Sequence, residues 1–357
     1  MDADDQLFLD GLALAPGPLG RCDDARVGGP VVRWDETSGQ WRLWYYCRDS
    51  AFPTGVAPAF GSGSIATALS EDGLNWRRCD GPLAGGAVLS PNPTTDAFDS
   101  THVATGDVLR HDGEWLMVYH AGNSETPRGT DPEYRFPGYR LRIGLARSRD
   151  GVAWTRMPGN ATGGACIDTG SGDVYSAFPN FIHDGRQFIL YYTTVDNAGR
   201  FYRTRIATSL DLQNWTPRGD LEWDTEPALF EAGGVITRDV QLNPFASGPR
   251  WLMVYTAKDG RAETGARRSV CVAVSDDALR WRREPDTPVF TVGRRGSWDS
   301  AGVANPRLVA TASDLRLYYY GWSDASFSEH PARGIGCAVS AVRTLNGLRR
   351  IRGRRRT

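Results

Sequence analysis

Apolar and polar positions along the chain follow a plan that recurs five times. The clearest copy runs from Phe98 to His120, FDSTHVATGDVLRHDGEWLMVYH. An Asp opens it, a mostly apolar run follows, the polar turn His111-Asp112-Gly113 reverses the chain, and a second apolar run ends on a tyrosine. Short apolar runs bounded by Gly and Asp read as antiparallel strands. Aligning the second runs on Tyr46, Tyr119, Tyr192, Tyr255 and Tyr320 gives spacings of 73, 73, 63 and 65 residues. A repeat of that length, built from short strands, implies a radial array rather than separate domains. The predicted fold class is all-β, a five-bladed β-propeller of four-stranded antiparallel blades. One domain spans 1–357, with blades near 22–82, 98–158, 172–220, 235–285 and 298–352. Residues 1–21 form a lead-in or the strand that closes the last blade, and the C-terminal LRRIRG is the alternative closing strand.

The outer halves of the repeats carry a second signature: SEDGLNW (70–76), SRDGVAW (148–154), SLDLQNW (209–215) and SDDALRW (275–281). Calcium binding or sugar stacking is one reading. Equal repetition favours a turn capped by Ser and Asp, with the Trp wedged between neighbouring blades. The inner halves differ more. Asp24, Asp99, Asp173, Asp239 and Asp299 each stand ahead of an inner strand, five to seven residues before its Pro or the equivalent Gly106. In an antiparallel blade these positions share a face with the ends of the second strands, where Arg48, His120, Lys258 and Trp322 differ in kind. Unequal residues at equal positions suit a site assembled once from several blades.

Carboxylates gathered at one channel mouth must bind a cation, pair with arginines such as Arg26 and Arg238, or raise one another's pKa. That makes the five aspartates candidate acids and bases, although an Asp at a strand entrance also bonds its own turn. Candidate substrate-binding residues are Arg26, Arg48, His102, His120, Arg238, Lys258 and Trp322. No metal ligand set is assigned and no cofactor is required, with Ca2+ in the central channel as an option. The insertion 123–140 leaves the same face and can form a lid.

Composition narrows the setting. A net charge of −1 gives no field toward nucleic acid or a membrane surface, and only the tail RRIRGRRRT is basic. The start, MDADDQLFLDG, lacks the pattern of a secretory signal, and no apolar run approaches a membrane span, so the expected location is cytoplasmic. The six cysteines include no CxxC pair and read as buried reduced thiols. Oligomeric state is open.

On these features the chain resembles the five-bladed propeller superfamily of glycoside hydrolases that includes families 43 and 32. The resemblance rests on blade number, the SEDGLNW-type hairpins and the aspartate before each inner strand. It implies an acidic residue on each of the first three inner strands: a base or nucleophile, a second Asp that orients and tunes, and a Glu that donates the proton. Asp24 and Asp99 fall at or near the first two places, with Asp23 adjacent. The third blade offers Asp173 and no Glu, and the nearest glutamates elsewhere are Glu231 and Glu125. The implied function is cleavage of a small glycoside or oligosaccharide by paired Asp carboxylates. The alternatives are phosphate-dependent or other specialised chemistry on the same scaffold, and a propeller that binds a carbohydrate or cation without catalysis.

Overall fold

The computed structural model describes residues 10–51, 63–127, 137–196, 201–245, 247–260, 267–284, 287–323 and 333–352. Part of the expected lid, the last residues of the basic tail and the first nine residues lie outside these. The chain opens with β1 (Leu12–Leu14). Unit I follows as β2 (Arg26–Asp35), β3 (Gln40–Arg48), β4 (Ser64–Ser70) and β5 (Arg77–Cys79), and unit II as β6 (His102–His111), β7 (Glu114–Gly122), β8 (Arg142–Ser148) and β9 (Thr155–Met157). Unit III comprises β10 (Asp173–His183), β11 (Phe188–Asp196), β12 (Tyr202–Ser209) and β13 (Thr216–Asp220). After the short β14 (Glu222–Trp223), unit IV is β15 (Gly234–Leu242), β16 (Trp251–Lys258), β17 (Arg268–Ser275) and β18 (Arg280–Arg283). Unit V is β19 (Gly302–Ala310), β20 (Leu315–Trp322), β21 (Arg333–Ser340) and β22 (Arg349–Arg350).

Within each unit consecutive strands pair antiparallel. First strands of successive units touch in the order β2, β6, β10, β15, β19 and back to β2, which closes a ring around a central channel. Closure uses both ends of the chain. On the outer side of β21, Leu12 and Leu14 of β1 stand opposite Gly336 and Ile335, while Arg349 and Arg350 of β22 stand opposite Val339 and Ala338. The two pieces are joined by the Gly11 N–H, which donates to the Ile351 carbonyl at 2.7 Å. Both sequence alternatives for the closing strand are therefore realised together, and β21 is left with no open edge along that stretch.

The outer hairpins are capped turns. In the first, Ser70 Oγ accepts the Gly73 N–H and Asp72 Oδ1 accepts those of Leu74 and Asn75. Ser148 with Asp150, Ser209 with Asp211 and Ser275 with Asp277 repeat the pattern. The residue after the Asp takes positive φ, as Gly73 (71°) and Gly151 (73°) in two turns and as Leu212 (65°) and Ala278 (64°) in the others. Glycine has the least steric cost there. Each tryptophan of three turns packs on an aromatic ring of the neighbouring unit: Trp76 on Tyr318, Trp154 on Trp44 and Trp281 on Tyr191, at 6.1, 6.2 and 6.4 Å between centroids. The same neighbours donate hydrogen bonds to the turn carbonyls of Gly73, Gly151 and Ala278. The hairpins thus latch unit to unit.

Candidate functional site

The five expected aspartates do not gather as one cluster at the channel mouth. A carboxylate at the head of each unit is fastened within that unit. Asp99 Oδ2 accepts the Tyr119 hydroxyl (3.0 Å) and Arg156 Nε (2.6 Å), and the same arginine donates to the Ser90 carbonyl. Asp299 does the same with Tyr319 (2.9 Å) and Arg350 (2.7 Å), whose guanidinium also reaches the Thr291 carbonyl. In unit I the acid in this place is Asp23, bonded to Tyr45 (2.7 Å) and Arg78 (2.6 Å), and in unit IV it is Glu231, bonded to Tyr255 (2.8 Å) and to Arg283. Unit III substitutes a third-strand arginine: Asp173 meets Arg205 Nη1 at 2.7 Å, and burial pushes the Asp173 pKa up against the pull of that arginine. A carboxylate, a second-strand tyrosine and an arginine farther out thus tie the lead-in of a unit to its outer strand. Burial, with the adjacent carboxylate adding, raises the Tyr119 and Tyr319 hydroxyls far above the ordinary phenol range, so both remain donors.

Three alignments made on sequence are corrected by this geometry. The residues that correspond are Tyr45, Tyr119, Tyr192, Tyr255 and Tyr319, so the match slips by one residue in units I and V, where tyrosines are consecutive. Asp24 lies beside the stapling position and braces a turn, accepting the N–H groups of Gly20 and Ser50 and the Ser50 hydroxyl. Asp239 precedes nothing: it lies inside β15, where Glu231 has taken the stapling role.

Asp239 belongs to a second set of residues whose other members sequence reading passed over. Val31, Asp107, Asn180, Asp239 and Arg307 occupy equivalent places on the five first strands, each just past a bulge or at the matching register. Arg307 donates to Asp239 Oδ1 at 3.0 Å, to the Pro30 carbonyl at 3.1 Å and to the Gly106 carbonyl, linking units I, II and IV to its own. Asp107 accepts from Arg33 (2.8 Å) and Asn180 (2.5 Å), and Asn180 in turn accepts the Val240 N–H at 3.0 Å. Asp107, Asn180 and Asp239 are at most 1% exposed. Burial raises the Asp107 pKa, against the opposing pull of Arg307 and Arg33. This network ties all five units together across the channel waist, and guanidinium groups supply the positive charge beside its carboxylates.

One layer toward the second-strand ends, corresponding positions hold Tyr46, His120, Thr193, Thr256 and Tyr320. Each meets different company. Tyr46 takes a hydrogen bond from Arg48 Nε, and Tyr320 one from Arg333 at 2.8 Å. The Tyr320 ring also lies on Gly28, where a Cβ would come within 2.9 Å. His120 sits 4.8 Å from Phe178, and burial alone lowers its pKa to about 3, so it is neutral at ordinary pH. Thr193 accepts from Arg238, which also donates to the Phe178 and Ile236 carbonyls. Burial, then Arg307, lowers the Arg238 pKa to about 9. Thr256 and Thr237 share a hydroxyl pair at 2.7 Å. Phe178 holds its ring between these groups at φ 50°, a conformation costly for a bulky residue and common at functional sites.

The other expected residues gather around this layer. Burial lowers the Arg26 pKa, Tyr320 and Tyr46 partly offset that, and Arg333 and Arg48 add to it, so three guanidinium groups and two phenols form one cluster across units V and I. His102 is buried against Gly122, whose missing Cβ leaves its ring room. Lys258 lies 4.7 Å from the Tyr202 ring. Trp322 is 6% exposed, its indole between Arg268 at 5.0 Å and Gly302, where a Cβ would approach to 1.9 Å, so its faces are taken by the fold. Carboxylates return at the second-strand ends: Asp49 follows β3 and Asp196 ends β11, both half-buried, and the buried Asp259 follows β16. Just past β7, Glu125 shares Arg140 and Arg142 with Asp168, and hydrogen bonds from Asn123 and Arg142 hold Glu125 below its usual range despite burial. Among the described residues no group of three His, Cys, Asp or Glu side chains is placed to hold a metal ion.

Solved structures carry the same architecture. A glycoside hydrolase superposes with TM-score 0.62 at 15% identity, covering 95% of this chain and 95% of that one. The fold is that of the glycoside hydrolase propellers. A glycoside hydrolase of the GH130 family of mannoside phosphorylases, targeting beta-1,2 mannosidic linkages in Candida mannan, gives TM-score 0.58 at 16% identity over 92% and 94% of the two chains. A thermostable family-43 glycoside hydrolase gives 0.61 at 14% over 96% and 98%. No protein-family model matches the sequence, and no curated protein matches it.

Proposed function

We propose that the chain is a carbohydrate-active, glycosidase-like enzyme that takes a small glycoside or oligosaccharide at the second-strand face of its five-bladed ring. One observation carries this reading: the layer of Tyr46, His120, Thr193, Thr256 and Tyr320 sets phenols, an imidazole and hydroxyls above a floor whose polar side chains, Asp107, Asn180, Asp239 and Arg307, are spent on one another. Hydroxyls, a neutral imidazole and guanidinium groups around a closed floor suit the donor and acceptor pattern of a sugar. The fold shared with glycoside hydrolases supports the same class.

Cleavage needs one protonated and one ionised carboxyl on opposite sides of the reacting bond. Stapling occupies Asp99, Asp173 and Asp299, and the channel waist occupies Asp239, so we assign the working pair to the carboxylates at the second-strand ends, Asp49, Asp196 and Asp259. No cofactor is invoked. Asn variants of the three, assayed against a panel of aryl glycosides and oligosaccharides, test the assignment. Two of the three variants should each lose about 10²-fold or more in turnover, with Asp24→Asn near wild type. Full activity in all three variants would reject it.

A second reading is favoured by the Arg26, Arg48 and Arg333 cluster. Guanidinium groups match phosphate oxygens, so the same site would release a sugar 1-phosphate by phosphorolysis. Turnover that rises with phosphate supports that reading, and undiminished turnover in phosphate-free buffer counts against it. Tight sugar binding without product from any substrate would favour a non-catalytic propeller.

A further inference from the structure

Cys22 and Cys47 are the two cysteines whose sulfur atoms meet, at 3.6 Å, among the described residues. Cys22 lies in the segment leading into β2 and Cys47 near the end of β3, and both are buried, Cys22 at 6% exposure and Cys47 at 0%. Their backbones are held from several sides. The Cys22 N–H donates to the Gly85 carbonyl at 3.0 Å, a Cβ on Gly85 would come within 2.5 Å of the Cys22 nitrogen, and the next residue is the stapled Asp23. Cys47 is paired on both sides, with Val27 of β2 and Ser64 of β4. Two buried sulfurs in van der Waals contact on held backbone are close enough to be candidates for a covalent bond.

We propose that Cys22 and Cys47 form a reversible thiol–disulfide pair, oxidised by a low-molecular-weight disulfide such as oxidised glutathione. The thiolate of Cys22, the less enclosed of the two, attacks one sulfur of the small disulfide and expels one small thiol. Cys47 then attacks the Cys22 sulfur of that mixed disulfide and expels the second. Two protein thiols are oxidised to one disulfide, and one small disulfide is reduced to two thiols. Burial and the neighbouring Cys22 thiol raise the Cys47 pKa well above the ordinary thiol value, which slows the second attack at neutral pH. The bond would tie the lead-in of unit I to the strand end carrying Tyr46 and Arg48, so the oxidised protein holds that wall of the candidate site more rigidly. The inference stands apart from the proposed reaction and needs no substrate to test.

The full-length protein is incubated with oxidised or reduced glutathione, unfolded in an alkylating reagent and analysed by intact mass and peptide mapping. Oxidation should leave four alkylated cysteines in place of six and a cross-link between the peptides holding Cys22 and Cys47. The melting temperature should rise by about 4–6 °C, as expected for closing a loop of this length in a chain of this size. Cys22→Ser and Cys47→Ser should each abolish the cross-link, while Cys166→Ser retains it. Six alkylated cysteines after prolonged oxidation, a stable mixed glutathione adduct, or a cross-link to another cysteine would each overturn the proposal. These outcomes can be read on wild type alone, whether or not a variant folds.

Discussion

Replacing Asp99 by Asn separates a stapling role from a catalytic one. Asp99 is 1% exposed and Arg156 is 29% exposed at the side chain, with Oδ2 taking both the Tyr119 hydroxyl and the guanidinium. The Asn amide keeps the shape and one acceptor but not the charge. Two charge-assisted hydrogen bonds become neutral ones, a loss of about 1 kcal/mol each, or about 2 kcal/mol in all. Partial hydration of Arg156 keeps the figure toward the low end. For a chain of this length the melting temperature should fall by about 3 °C. Urea unfolding of the single variants Asp99→Asn and Tyr119→Phe and of the double variant should show a coupling of about 1 kcal/mol, since one weakens and the other removes the same bond. Turnover per folded molecule should stay within about threefold of wild type, because the staple points away from the channel. A loss of about 10²-fold or more with an unchanged unfolding midpoint would refute the argument and return Asp99 to the catalytic candidates.

Two further outcomes follow from the buried network and the imidazole above it. Arg307→Met strands Asp239 and Asp107 at the waist, so unfolding at pH 7 should show a loss of about 3–5 kcal/mol. Asp107 already has a raised folded pKa, so its share of stability is fullest at low pH and is lost as pH rises; removing Arg307 strengthens that trend, and the loss should shrink toward pH 4. A loss independent of pH would contradict this. His120, lowered to about 3 in the fold, contributes stability above its unfolded pKa near 6.5 that is lost as pH falls toward 3, with a slope of about 1.4 kcal/mol per unit. His120→Gln should remove that slope from the pH dependence of urea unfolding, and an unaltered slope would show that the ring is not buried neutral.

Much of the architecture is written locally. Short apolar runs, Ser-x-Asp turns and a repeat of roughly constant length are enough to specify antiparallel strands, their hairpins and their number, because strand pairing and turn capping are interactions between near neighbours in sequence. The tryptophans that wedge between units are legible for the same reason: four of the outer hairpins repeat the demand. The misalignment of Tyr46 and Tyr320 arises where the chain places tyrosines side by side, and a one-residue shift moves a strand side chain to the opposite face. Sequence therefore identified the residue type at that position while missing which ring carries it.

What tertiary structure decided is the use of the charges. Asp23, Asp99, Asp173, Glu231 and Asp299 differ in spacing from their partners, and only the fold shows that each meets a basic residue from an outer strand. Asp107, Asn180, Asp239 and Arg307 come from four separate repeats and look unrelated in sequence, yet at the channel waist they are neighbours. A buried carboxylate must find a cation or hydrogen-bond donors wherever the chain supplies one, and that choice is made across units that sequence spacing does not relate.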